Sequence, residues 1–195
     1  MAVELEAKMS VEAFDPVRAK LREAGATRAG EHFEVNTFFD TPSRALAEAK
    51  YGLRLRVQRD AATGAERSFV TWKGRQHPGP LKSREEVEFE ASPGDAAGLL
   101  FERLGYVRTF SFEKRRETWR LNACTVELDE LPLLGKFVEI EGPDEQTIFA
   151  ARQALGLSDR PIEKGGYVGL LKGHLQERGQ TGQRVTFPAE PEPNL

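Results

Sequence analysis

Cysteine is nearly missing from this chain, where Cys124 stands alone. A single thiol excludes an intramolecular disulfide, and a reducing cytoplasm is the simplest home for such a protein. Histidine is scarce too. His32, His77 and His174 are scattered, and with one cysteine they offer no zinc-ligand spacing. No apolar run approaches the roughly 20 residues of a bilayer span. The first residues pass directly into a charged strand, so no signal peptide is expected. A surplus of either charge is also missing: 28 Lys and Arg face 31 Asp and Glu, a net charge of −3. That balance gives no electrostatic case for nucleic acid or a membrane surface as a partner. What remains is a chain of 195 residues, 39% hydrophobic and 30% charged, which suits one globular domain with its own core.

The charges that are present follow a pattern. Strand residues point alternately to opposite faces. In Glu4-Leu5-Glu6-Ala7-Lys8 the charged residues share one face, and Val3, Leu5, Ala7 and Met9 share the other. The same alternation returns along the chain. Between Tyr51 and Gln58, Leu53, Leu55 and Val57 oppose Arg54, Arg56 and Gln58. From Ser68 to Lys73, Phe69, Thr71 and Lys73 form one face, and from Ser83 to Ala91, Arg84, Glu86 and Glu88 do. Later, Glu127 and Asp129 oppose Val126 and Leu128, and Glu139 and Glu141 oppose Val138 and Ile140. His32 to Asp40 is a further strand, with Glu34, Asn36 and Phe38 on one face. The run from Val107 to Trp119 puts Lys114 and Arg116 on one face but Glu113, Arg115 and Glu117 on the other, so its end is expected to leave the core.

Helices are expected where apolar residues recur at helical spacing. One follows Ser10 as N-cap, with Val11, Phe14, Val17 and Leu21 on its face and Gly25 as its stop. Others follow Asp95 and Asp144, and a shorter segment runs from Ile162 to Leu175. Residues 1–175 then form the domain. Residues 176–195 turn polar and Pro/Glu-rich and are expected to be a disordered tail.

About eight strands joined by short turns or single helices suggest an antiparallel barrel with helices packed outside, an α+β fold. Apolar strand faces must be buried, and outer helices can cover them. The charged faces are then left to line the interior, which at about eight strands holds side chains or one small ligand. A solvated sheet laced with cross-strand ion pairs would show the same alternation. An interior lining, however, requires the lumen to be wet, its bases paired with acids, or the space filled by a polyanion, because desolvating an unpaired ion costs several kcal/mol. Bases beside clustered carboxylates are what a metal-bound triphosphate needs, since bases hold phosphate oxygens and acids hold the hard cation that bridges them.

These motifs resemble the CYTH, or triphosphate tunnel metalloenzyme, superfamily. Glu4-Leu5-Glu6-Ala7-Lys8 resembles its ExExK signature, and Leu53-Arg54-Leu55-Arg56 its paired-arginine strand. Thr71-Trp72-Lys73-Gly74 resembles T-x-K-G, Arg84-Glu85-Glu86-Val87-Glu88 matches R-x-E-x-E, and Lys114-Arg115-Arg116 matches K-x-R. Val126–Asp129 followed by Leu134–Glu141 resembles the acidic strand and LG-x-FxExE, and Lys164–Leu171 the closing K-x-x-Y segment. The overall pattern is most similar to class IV adenylyl cyclases. Thiamine triphosphatases and inorganic triphosphatases are further members.

The resemblance implies a closed eight-stranded tunnel that binds ATP, inorganic triphosphate or thiamine triphosphate with Mg²⁺ or Mn²⁺. Glu4, Glu6, Glu139 and Glu141 would hold the metal, with Asp129 as a further ligand. Lys8, Arg54, Arg56, Lys73, Arg84, Lys114, Arg116 and Lys164 would hold phosphate. Glu86, Glu88 and Glu127 would orient these bases. Glu4, Glu6, Lys8 and Lys73 would serve catalysis. A lysine among cations can act as a base, but the carboxylates nearby oppose this, so that role stays open. The chain departs from the cyclase pattern at Asn36, where an acid is usual, and at Gly166, where serine is common. Hydrolysis of a triphosphate, or its capture without turnover, are the alternatives to cyclisation.

Overall fold

The structure is a computed structural model, which describes residues 2–188. The elements are β1 (Ala2–Val11), α1 (Asp15–Glu23), β2 (Thr27–Asp40), α2 (Ala45–Glu48), β3 (Gly52–Asp60), β4 (Glu66–His77) and β5 (Lys82–Glu90). They continue as α3 (Gly94–Arg103), β6 (Val107–Leu121), β7 (Cys124–Leu131), β8 (Gly135–Glu141), α4 (Glu145–Ala154), α5 (Tyr167–Glu177) and β9 (Arg184–Val185). The sheet order is β2-β3-β4-β5-β1-β8-β7-β6, and a further β2–β6 pairing joins its ends. Every pairing among these eight strands is antiparallel, so they close into the expected barrel.

The alternation decides which side chains point where. Ala7 and Met9 of β1 face outward with Val126 and Leu128 of β7 and Val138 and Ile140 of β8. There they pack under Phe14, Val17 and Leu21 of the α1 region and Ile148 and Ala151 of α4. On the opposite wall Phe39, Leu55 and Val70 pack against Ala97 and Phe101 of α3. Gly94 lets α3 approach closely, because a Cβ there would lie 2.3 Å from the Ser68 hydroxyl.

The third cluster lies inside the barrel. Phe110, Phe112, Leu131 and Phe137 continue the inward faces of β6, β7 and β8, and Tyr167, Leu171 and Leu175 of α5 pack onto them. Helix α5 therefore plugs one end of the barrel, and the lining changes there from charged to aromatic.

Three expectations change. Ser10 is not a helix cap: it pairs with Phe137 and Val11 with Lys136, so β1 runs on and α1 begins at Asp15 behind Phe14. The end of β6 does not leave the core, since Trp119 and Leu121 are buried in the cluster under α1 and α4. Glu117, a charge on the same outward face as Trp119 and Leu121, finds partners outside the barrel. Its carboxylate accepts from Arg18, Arg28 and the Trp119 indole at 2.8–3.0 Å. The expected tail from 176 is ordered as far as it is described. Helix α5 runs to Glu177, β9 pairs in parallel with Ser111 and Phe112 of β6, and Val185 is buried. The free edge of β6 beyond its pairing with β7 supplies the hydrogen bonds, and Phe187 packs on the Phe33 ring. Residues 189–195 of that tail lie outside the described residues.

Candidate active site

The bore has a volume of about 1040 Å³ and is lined by side chains from all eight strands. Its wall is divided into poles by register. Glu6 stands opposite Lys82 on one side and Glu141 on the other, Lys8 opposite Glu139, and Glu139 opposite Glu127. This places β1, β8 and β7 carboxylates next to one another. Across the bore, Arg54, Arg56, Lys73 and Arg84 come from β3, β4 and β5.

At the acidic pole, the buried Lys8 ammonium lies 2.9 Å from Glu139 and 3.4 Å from Glu6, over the Tyr167 ring at 3.8 Å. Arg116 is held by three acids. It bonds Asp129 at 2.5 and 2.6 Å and Glu139 at 2.6 Å, and it pairs with Glu127. Lys114 bridges Glu34 at 3.4 Å and Asp129 at 3.2 Å, and the Tyr167 hydroxyl donates to Asp129 at 2.9 Å.

At the basic pole, Arg54 and Arg56 bond Glu88 at 3.1 and 2.9 Å, Thr71 donates to Glu88 at 2.6 Å, and Lys73 is held by Glu86. Arg84 is the exception. Its buried Nε has no hydrogen-bond partner, and no carboxylate pairs with its guanidinium among the described residues.

The proton affinities follow from this crowding. Burial, then the neighbouring acids Asp129 and Glu139, push the Glu127 carboxyl up to about 8 against the pull of Arg116. Three carboxylates on one guanidinium leave one of them under-compensated. Burial raises Glu4 and Glu141 too, aided by Glu86 for the first and by Glu4 and Glu6 for the second. Burial and the charge of Arg54 pull Lys73 down to about 8. For Glu34, burial is outweighed by Lys114, Arg116 and Arg56, which hold it well below the usual carboxylate range.

A divalent cation suits this donor set. Glu127, Asp129 and Glu139 can each bring an oxygen within 4.8 Å of the others. Glu6 keeps a buried oxygen, Oε1, without a hydrogen bond. Against the cost of burial, Lys8, Arg116 and Lys114 hold Glu139 well below the usual carboxylate range, whereas Glu127 and Glu141, raised by burial and by neighbouring acids, are hard oxygen donors in want of positive charge, as Mg²⁺ and Mn²⁺ sites require.

Fifteen of the sixteen expected site residues therefore line the bore or, like Asp129, bond directly to a residue that does. Lys164 does not: it is exposed, and its ammonium donates to the Gly79 carbonyl at 3.2 Å. Lys82, Glu34 and Tyr167 also belong to the site but were not among the expected residues. Lys82 continues the Arg84/Glu86/Glu88 alternation one step back, just before the strand start expected at Ser83.

Fold and bore together define a closed antiparallel barrel whose interior carries poles of opposite charge. The chain belongs to the CYTH domain family, whose profile matches residues 2–163. Among characterised sequences it resembles a Methanocaldococcus jannaschii protein described as a candidate adenylate cyclase, with 25% identity over 139 residues, 71% of this chain and 76% of that protein. Among solved structures it resembles the PH1819 protein of Pyrococcus horikoshii, with 26% identity, TM-score 0.75, and 87% of this chain and 98% of the other covered. It shares its fold with a candidate adenylyl cyclase from Hippeastrum described as revealing a dominant triphosphatase activity, at 18% identity and TM-score 0.67 over 93% and 97% of the two chains. No helix among the described residues is long and apolar enough to cross a membrane.

Proposed function

We propose that this protein is a divalent-metal-dependent enzyme that acts on a triphosphate held in the bore. The carrying observation is the pairing of an uncompensated Arg84 on one wall with mutually repelling carboxylates on the other. A site for an anion alone would need the bases but not the crowded acids. A site for a cation alone would not need Arg54, Arg56, Lys73 and Arg84. A cation–triphosphate complex satisfies both poles.

In this reading Glu4, Glu6, Glu139 and Glu141 hold the cation, with Asp129 and Glu127 beside them. The bound cation supplies charge neutralisation at the phosphoryl oxygens. Arg84 is free to take a phosphate oxygen directly. Arg54 and Arg56 exchange Glu88 for phosphate, a ligand that guanidinium grips through two parallel bonds. Lys8 and Arg116, each shared among several acids, stiffen the acidic pole and present the remaining positive charge to the substrate. Lys73, held near 8 by burial and Arg54, combines a phosphate-binding charge with a neutral fraction able to take a proton.

The leading reaction is conversion of ATP to cyclic AMP and pyrophosphate, in keeping with the description of the M. jannaschii relative. Hydrolysis is the second reading. It is favoured by Asn36, an amide where the cyclase pattern carries an acid, and by the activity named for the Hippeastrum protein. The deciding experiment incubates the protein with Mg²⁺ or Mn²⁺ and, separately, ATP, inorganic triphosphate and thiamine triphosphate. Cyclic AMP with pyrophosphate supports the cyclase, and orthophosphate the triphosphatase. If no substrate gives a metal-dependent product and Glu4→Gln alters only stability, the enzyme reading fails in favour of a binding module.

A further inference from the structure

Lys82 is a buried cation whose place in the bore is not explained by phosphate binding alone. It is 7% exposed, stands directly opposite Glu6 in the β1–β5 register, and donates to Glu6 Oε2 at 2.7 Å. Glu6 is also within 3.4 Å of Lys8 through its other oxygen. Lys8 is itself closer to Glu139 and is further held by the Gly165 carbonyl and the Tyr167 ring. Lys82 has no comparable set of partners: Glu6 is the one side chain it bonds among the described residues. It lies at the seam of the two poles, two residues before the unpaired Arg84 on the same strand face. A lysine ammonium is a compact point charge on a four-carbon stem, so it can leave one anion for another by rotating that stem.

We propose that Lys82 and a divalent cation compete for the Glu6 carboxylate, and that Lys82, once displaced, binds a phosphate oxygen of the substrate alongside Arg84. This rests on the reading of the bore as a cation–triphosphate site and assigns that site a built-in competitor. The two roles are linked by charge. A cation arriving at Glu6 frees an ammonium within the same bore, and that ammonium raises the affinity for the anion that follows. Metal and triphosphate then bind with positive coupling, which must be reciprocal.

Lys82→Met keeps the length of the stem and removes the charge. Mn²⁺ binding without substrate, followed by the spin-resonance signal of free Mn²⁺, is expected to tighten, because the competitor is gone. At saturating Mn²⁺ the KM for the triphosphate is expected to rise about tenfold, the loss of one charge-assisted hydrogen bond. Opposite shifts in two affinities are not produced by general loosening of the fold. Unchanged or weaker Mn²⁺ binding in a variant that melts like the original would overturn the proposal.

The unsubstituted chain provides a second route that does not depend on Lys82→Met, since the charge-conserving Lys82→Arg serves only to assign a signal. The ζ-ammonium nitrogen signal of Lys82, assigned by its loss in Lys82→Arg, is expected to move as Mg²⁺ saturates the protein. A signal that stays in place at saturating Mg²⁺ rejects the competition. If the unsubstituted protein turns over no triphosphate, the functional reading fails, and these two metal-binding measurements still decide whether Lys82 competes.

Discussion

Glu117 shows how one residue can defy the pattern around it and still be structural. It faces outward in phase with Trp119 and Leu121 and puts a charge on that apolar face of β6, yet it is 7% exposed and gathers Arg18, Arg28 and the Trp119 indole around its carboxylate. Burial alone would raise its pKa, but the hydrogen bond and charge of Arg18, with the hydrogen bonds donated by Trp119 and Arg28, lower it overall. A depressed carboxyl stabilises the fold above its unfolded pKa, about 4.3, and that contribution is lost as pH falls through the folded value. Glu117→Gln should therefore flatten the loss of Tm between about pH 5 and about pH 3 and cost about 1–3 kcal/mol at neutral pH. Thermal melts across that range check it, and an unchanged acid limb would count against this account. The same balance explains what a linear pattern conveys about single residues. Arg54, Arg56, Arg84, Glu86, Glu88, Glu139 and Glu141 were legible because strict alternation puts each on one face. Lys82 was not, because one step of uncertainty in a strand boundary hid it. Lys164 was misplaced because it follows α4 in an irregular segment, where no periodicity says which way a side chain points.

Among the elements, strands were easier to read than helices. Period-two alternation runs through most of each barrel strand, interrupted by register shifts in the β2–β6 and β4–β5 ladders, and cross-strand pairing fixes register between them. The helix after β1 was placed too early because Ser10 has the chemistry of a cap, while the ladder to β8 offers its backbone better-placed partners. The role of α5 was also hidden. Tyr167, Leu171 and Leu175 have helical spacing whether they pack outside a barrel or inside one end of it. Only Phe110, Phe112 and Phe137, inward residues with no charge, reveal which. Leu171 is fully buried in that cluster. Leu171→Ala should lower unfolding free energy by about 2–4 kcal/mol through the cavity it leaves. Urea denaturation reads the loss directly. A change below about 0.5 kcal/mol would mean that α5 is not packed as a plug.

For the whole molecule, the bore sets a conflict between stability and charge. Glu4, Glu127 and Glu141 all have raised pKa values in the fold, Glu127 to about 8. Between the unfolded carboxylate range and those raised values the folded state binds more protons, so these groups make stability fall as pH rises. A cation bound as proposed would relieve the repulsion and compete with the same protons. The rise in Tm produced by Mg²⁺ should therefore be larger at about pH 8.5 than at about pH 6. An equal rise at both values would place the cation elsewhere. The closed barrel and its charged lining were both legible in the sequence; the α5 plug was not, and it has a consequence for traffic. A barrel stoppered by aromatic side chains is a blind alley. If the bore holds a linear polyanion as proposed, that polyanion would enter end first, to the depth where the lining turns to Phe112 and Phe137, and would back out the way it came. Long chains would present only their termini to the charged pole, and cleavage in the middle of a long chain would be out of reach.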